Sequence, residues 1–111
     1  MRAAVLQSLW HVDFLLDGAE KGADGGDTAY VALCAATAAM LVAHGWHAYA
    51  REWVVNEKSL VPNVARLPVD SGGFSDAVAS ALSALGSGPD ALHHAIASIR
   101  HLARPIGSEI I

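Results

Sequence analysis

The sequence predicts an all-α protein, an antiparallel four-helix bundle with a short extra helix in the connection after the second main helix. Apolar residues recur at helical spacing along most of the chain, whereas the alternation typical of strands does not recur. Short stretches rich in glycine or proline separate these segments. The 111 residues, of which 53% are hydrophobic, fit one compact domain. We therefore predict a single helical domain over residues 1–111.

The first predicted helix covers about residues 2–20. Val5, Leu9 and Val12 recur at i, i+4 and i+7 and form one apolar stripe, which Leu16 continues. The helix is expected to end near Gly22, because glycine adopts the left-handed backbone that closes many helices.

The second predicted helix covers residues 28–50, a stretch without a formal charge between Asp27 and Arg51. Asp27 is a good N-cap. The stretch has the length of a membrane span, for which about 20 apolar residues suffice. However, alanine is its commonest residue, and Thr37 and His44 oppose insertion. A helix that is apolar on all sides needs neighbours on all sides. We therefore interpret it as the buried axis of the bundle and expect no association with a membrane.

Two further helices are predicted from proline and glycine positions. Pro62 suits the first turn of a short helix that reaches Leu67, and the following Pro68 closes it. A longer helix then begins near Phe74 and ends at Gly86. Its apolar stripe consists of Phe74, Val78, Leu82 and Leu85.

The last predicted helix starts at the Ser87–Asp90 turn. Its stripe contains Leu92, Ile96, Ile99, Leu102 and Ile106, and Pro105 predicts a kink or an end. His93, Arg100 and Arg104 lie off this stripe and give a mildly basic face, which we interpret as solvated surface.

Charge and composition limit the function. The chain has 7 basic and 11 acidic residues and a net charge of -4, so no nucleic-acid partner is expected. His11, Asp13 and Asp17 interrupt any apolar core of a signal peptide, and we expect a cytoplasmic location. The single Cys34 cannot form an internal disulfide, and we interpret it as a small buried hydrophobe.

Common catalytic motifs are absent from the sequence. It contains no phosphate-binding loop, no dinucleotide-binding turn, no nucleophile elbow and no HExxH motif. His44 and His47 are three residues apart and could share a metal with His11 or His94, but the glutamates lack the spacing of a bundle metal site. We therefore predict no metal site and no cofactor, and we assign no catalytic residue.

Polar and aromatic residues are concentrated directly after the second helix. Such a group could form a polar mouth that binds a small ligand by stacking and by ion pairing. It could equally be a helix connection whose aromatic rings cover the end of the bundle and whose charges are solvated. The candidate substrate-binding residues are Arg51, Glu52, Trp53, Glu57 and Lys58.

The segment from Trp53 to Pro68 resembles part of the C-terminal helical, HEPN-like domain of polymerase-beta-like nucleotidyltransferases. The resemblance lies in an aromatic residue, the pair Glu57-Lys58, a leucine and the pair Leu67-Pro68. HEPN ribonucleases carry an arginine followed by a histidine after four to six residues, and no such pair occurs here.

The resemblance implies an accessory role rather than catalysis by this chain alone. The Gly-Ser motif and paired aspartates of the nucleotidyltransferase catalytic domain are missing from these residues. The chain would then bind substrate beside a catalytic domain or protein, with Glu57 and Lys58 facing the cleft and Trp53 forming its wall. One alternative is a helical protein–protein interaction module without enzymatic activity, such as a homodimer, that uses the basic face or an exposed apolar surface. The other is a small membrane-associated protein, whose solubility would depend on detergent.

Overall fold

The computed structural model describes residues 1–52, 54 and 58–110. Within them the protein contains six helices and no strand, so the all-α class is confirmed. The helices are α1 (Arg2–Asp24), α2 (Thr28–Ala50), α3 (Leu60–Val64), α4 (Phe74–Ser83), α5 (Pro89–Leu102) and α6 (Arg104–Ile110).

Helices α1 and α2 form a hairpin around a tight turn. Gly26 has a φ of 72°, a conformation that glycine adopts without steric cost. The Asp27 side chain then accepts a hydrogen bond of 3.1 Å from the backbone N–H of Tyr30, which confirms the predicted N-cap. A Cβ atom at Gly22 would lie 2.8 Å from the Tyr30 ring, so the glycine permits the close approach of the two helices.

Helix α2 lies at the centre of the packing and contacts every other described helix. Trp46 is its largest fully buried side chain, and Val31 and Val42 are fully buried as well. The prediction that α2 is enclosed on all sides is nevertheless wrong, because Leu33 is 69% exposed. The helix is long and apolar enough to cross a membrane. In its most apolar window, 44% of the residues are buried by the rest of the chain. One side of α2 is therefore both apolar and uncovered in the isolated chain.

The later helices differ from the sequence expectation at their ends. Helix α3 ends at Val64 instead of reaching Leu67. Helix α5 ends at Leu102, and Pro105 lies in the first turn of a separate helix, α6. A proline there fits, because the first turn of a helix does not need its N–H. Helix α6 buries Ile106 and Ile110 and so adds to the core.

The sequence analysis interpreted the basic face of α5 as solvated surface, but in the structure this face contacts α1. Arg100 lies between three carboxylates of α1, at 3.5 Å from Asp13, 3.1 Å from Asp17 and 3.3 Å from Glu20. His93 lies 2.7 Å from Asp24, one turn further along α1. These contacts fix α5 against α1 along the edge of the core.

Candidate functional site

An apolar surface on the α1–α2 hairpin is the most distinctive feature of the described residues. Among the described residues, all exposed large hydrophobic side chains except Met1 lie on this surface. We call this surface the outer face. It consists of Leu6 (42% exposed), Trp10 (68%) and Phe14 (63%) on α1, and Tyr30 (47%) and Leu33 (69%) on α2.

On α1 the outer face lies opposite the core. Leu6, Trp10 and Phe14 follow each other at four-residue spacing and therefore share one side of the helix. The Trp10 and Phe14 rings stack, with centroids 5.8 Å apart and planes inclined by 15°. Val5 and Val12 project to the other side and are buried. Helix α1 thus has two apolar sides, of which the protein covers one.

The α2 part of the outer face adjoins the α1 part. Gly22 lies against Tyr30 near the turn of the hairpin, and closer to the middle of the two helices Leu41 shares a small cavity with Ser8 and His11. Tyr30 and Leu33 are three residues apart and share a side of α2. Helices α5 and α6 pack against both α1 and α2, and α3 and α4 pack against α2. The exposed side chains of α1 and α2 therefore lie on the outer side of the hairpin.

The outer face has the size of the largest apolar patch on a typical monomer. With about 200 Å² for a whole aromatic side chain and about 100 Å² for an aliphatic one, its exposed parts total on the order of 500 Å². The largest apolar patch of a typical monomer covers about 300–600 Å² and is often functional. Tyr30 adds a polar group at its edge, and the hydrogen bond with Cys34 is the main reason that the pKa of Tyr30 is raised.

The predicted polar site is described only in part. Arg51 is the C-cap of α2, with a left-handed φ of 59°, and its side chain is exposed. Glu52 is also exposed, and its backbone N–H donates to His47 O at 2.9 Å. Lys58 is exposed two residues before α3. Trp53 and Glu57 lie outside the described residues, so the complete set of five stays a prediction.

Buried polar atoms occur at the same end of α2. Nε1 of Trp46 and Nδ1 of His47 have no hydrogen-bond partner among the described residues. Nε2 of His47 lies 3.4 Å from the carbonyl oxygen of Leu60. Within residues 1–52, 54 and 58–110 no group of three metal-ligating side chains is close enough to hold an ion. His47 is thus a core side chain in this part of the chain.

A separate groove lies between α4 and α5 and has a volume of about 720 Å³. It is lined mostly by alanine and serine, and His94 and His101 are among its other lining residues. Ligand sites usually combine an apolar wall with several converging polar groups. This wide, shallow groove has few such groups, and we do not assign a ligand to it.

Comparisons with protein-family models, curated proteins and solved structures gave no match. The sequence analysis missed Trp10 and Phe14, although a signal was present. Large apolar residues at four-residue spacing on the side of α1 opposite the Val5 and Val12 stripe indicate a second buried surface.

Proposed function

We propose that this chain is a helical interaction module that binds another protein through the outer face. The observation that carries the proposal is the exposure of Trp10, Phe14 and Leu33, each more than 60% accessible on one side of the hairpin. Aromatic residues dominate the energetics of protein interfaces, because they bury a large area with few rotatable bonds. Covering the three side chains with a partner would remove the free-energy cost of their hydration.

The outer face suits a protein partner better than a small ligand. Its five side chains line neither the groove between α4 and α5 nor the small cavity beside Leu41, whereas small ligands bind in concave sites. Its α2 part has no charged side chain, since residues 28–50 contain none. We also propose that α1, α2, α4 and α5 form an antiparallel bundle, an arrangement supported by the contacts of α2 with the three others. The cytoplasmic location and the absence of nucleic-acid binding stay predictions.

The interaction role can be tested by capture from a lysate of the native host. A tagged chain is expected to retain specific partners, including untagged copies of itself, and Trp10→Glu should abolish this retention. Ala79→Glu is the matched control, because it adds the same charge at an exposed alanine of α4 outside the outer face. Equal retention by the wild type and both variants would contradict the proposal.

The accessory role in nucleotide transfer stays a second proposal. It is supported by the exposure of Arg51, Glu52 and Lys58, since substrate-contacting side chains must be accessible. Lys58→Ala should weaken the binding of ATP, measured by calorimetry on the purified chain. Lys21→Ala is the control, because Lys21 is the only other lysine and lies on α1. A wild-type chain that does not bind ATP would contradict nucleotide recognition by this site.

A further inference from the structure

We propose that the protein bound by the outer face is a second copy of this chain, in a twofold-symmetric dimer. In this dimer α1 packs antiparallel to α1 of the second copy, and α2 packs antiparallel to its α2. The inference rests on the proposed interaction function and specifies its partner. The outer face supplies on the order of 500 Å² of apolar surface, against about 800 Å² of total surface per partner in a standard interface. The side chains around it would supply the rest.

The distribution of charge along the two helices is complementary to itself. Helix α1 carries Arg2 in its first turn, whereas its second half holds three carboxylates and a single cation, at Asp17, Glu20, Asp24 and Lys21, and is therefore acidic on balance. Helix α2 is flanked by Asp27 at its start and Arg51 at its end, with no formal charge between them. Each helix therefore has one basic and one acidic end. When α1 packs antiparallel to α1 of the second copy, the basic end of each helix lies beside the acidic end of the other. The same holds for the two copies of α2.

The other twofold arrangement lacks this complementarity. With the symmetry axis parallel to the helices, α1 would lie antiparallel to α2 of the second copy. Asp24 would then approach Asp27, and Arg2 would approach Arg51, so both ends of the interface would bring like charges together. Like charges across an interface oppose a wrong arrangement more strongly than unlike charges stabilise a right one. The charges thus select the pairing of α1 with α1.

The register of the hairpin allows one axis to satisfy both helix pairs. Asp13 is midway between Arg2 and Asp24, and Ala39 is midway between Asp27 and Arg51. The contact of Gly22 with Tyr30 aligns the two helices so that Asp13 and Ala39 lie at the same level. A single twofold axis at this level therefore brings Arg2 opposite Asp24 of the second copy and Asp27 opposite its Arg51.

The aromatic stack lies close to this axis. Trp10 and Phe14 are within one turn of Asp13, on the exposed side of α1. The two stacked pairs of a dimer would therefore meet at the centre of the interface. Interface residues that contribute most to affinity are usually found at such a central position, surrounded by contacts that exclude water.

A membrane surface fits the outer face less well. Asp13, Asp17 and Asp24 flank it on α1, and the chain carries a net charge of -4. Amphipathic helices that lie on anionic membranes carry lysine and arginine on their polar side instead. The acidic flank would be repelled by anionic lipid. In the dimer Asp24 faces Arg2 of the second copy, and Asp13, which lies at the axis, is paired with Arg100 of its own chain.

The first test measures the mass of the purified chain by light scattering over a range of concentrations. We expect twice the monomer mass of 11.5 kDa at high concentration. Trp10→Glu should raise the dissociation constant at least about 30-fold, as expected for a central interface residue. Ala79→Glu should leave it unchanged, and Trp10→Phe should retain much of the association. Circular dichroism should show that all three variants fold, because Trp10 and Ala79 are exposed.

The second test determines the orientation. Ala3 and Lys21 are five helical turns apart and lie on the same side of α1 as the aromatic stack. In an antiparallel pair centred on Asp13, residue 3 of one copy lies within about 3 Å, measured along the helix axis, of residue 21 of the other. With Cys34→Ala as background, Ala3→Cys mixed with Lys21→Cys should form cross-links with a short bis-maleimide. Neither variant should cross-link to itself.

The outcomes separate this inference from the proposed function. A chain that stays monomeric while Trp10 is still needed to capture a different protein overturns the dimer and leaves the interaction role intact. A monomer that floats with phosphatidylcholine vesicles overturns both. A dimer that Trp10→Glu does not weaken overturns the assignment of the interface. Cross-linking of each single variant to itself overturns the antiparallel orientation.

Discussion

At the residue scale, Tyr49 connects the end of α2 to α6. Its hydroxyl donates a hydrogen bond of 2.9 Å to Glu109, and its ring meets Trp46 edge-on with a centroid distance of 5.9 Å. The tyrosine thus joins a fully buried ring to a surface carboxylate. It ties down a terminal helix of seven residues, which is too short to be stable by itself.

The hydrogen bond to Glu109 raises the pKa of Tyr49 above its ordinary value of 10.0, and burial and the negative charge of Glu109 act in the same direction. Because the pKa is higher in the folded state, the stabilisation is present below the unfolded pKa and is lost as the pH rises through the folded pKa. Glu109→Ala should lower the pKa of Tyr49. In a Tyr30→Phe background, in which Tyr49 is the only tyrosine, tyrosinate absorbance measures the change. Ser108→Ala is the control, and equal titration curves for both variants would contradict the assignment.

Gly22 shows how one residue determines the distance between two helices. A Cβ atom there would meet the Tyr30 ring at 2.8 Å, closer than carbon atoms pack, and Tyr30 would have to change its rotamer. Glycine within a helix costs roughly 0.5–1 kcal/mol relative to alanine, and the close approach of α2 offsets this cost. The position of Tyr30 on the outer face therefore depends on Gly22.

At the element scale, the sequence predicted helices where periodicity and end signals agree. The Val5 stripe, the Asp27 cap and the stripe from Leu92 to Ile99 all gave helices at the expected places. The break between α5 and α6 was harder to predict from the sequence, because Pro105 is compatible with both a kink and the first turn of a new helix. Local signals identify a helix more reliably than its last residue.

Contacts between helices were beyond the sequence analysis. Arg100 follows Asp13 by 87 positions, and nothing in either segment indicates that they meet. Each ion pair is partly exposed, so each contributes between 0 and about 1 kcal/mol. Their role is therefore mainly to align α5 along α1. These ion pairs form because the buried sides of α1 and α5 pack together, and the sequence of neither helix alone predicts that packing.

The outer face was hard to recognise for a related reason. Helix α1 carries two apolar stripes, one through Val5 and Val12 and the other through Trp10 and Phe14. Periodicity shows both stripes but does not show which one the later helices cover. The structure decides this, because α5 and α6 pack on the first stripe and leave the second exposed. Helix α2 is apolar on its exposed side as well, which the proposed interface on the outer face would explain.

At the scale of the whole molecule, one core joins all six described helices. The cluster includes Val5 of α1, Trp46 of α2, Leu60 of α3, Phe74 of α4, Leu92 of α5 and Ile106 of α6. A continuous core of this kind makes partial unfolding costly, because removing one helix exposes apolar surface on the others. We therefore expect residues 1–111 to unfold as one cooperative unit.

This expectation can be measured with Trp46 as the reporter of the core. Trp10→Phe and Trp53→Phe together leave Trp46 as the only one of three tryptophans, and it is fully buried. In urea, the change in Trp46 fluorescence should coincide with the loss of helical circular dichroism at a single midpoint. Val42→Ala, which removes volume beside the same core, should shift both curves equally to lower urea, by roughly 1–3 kcal/mol in the free energy of unfolding. Loss of helix before the change in Trp46 fluorescence would contradict the single-domain prediction, because α5 and α6 would then unfold independently of α2.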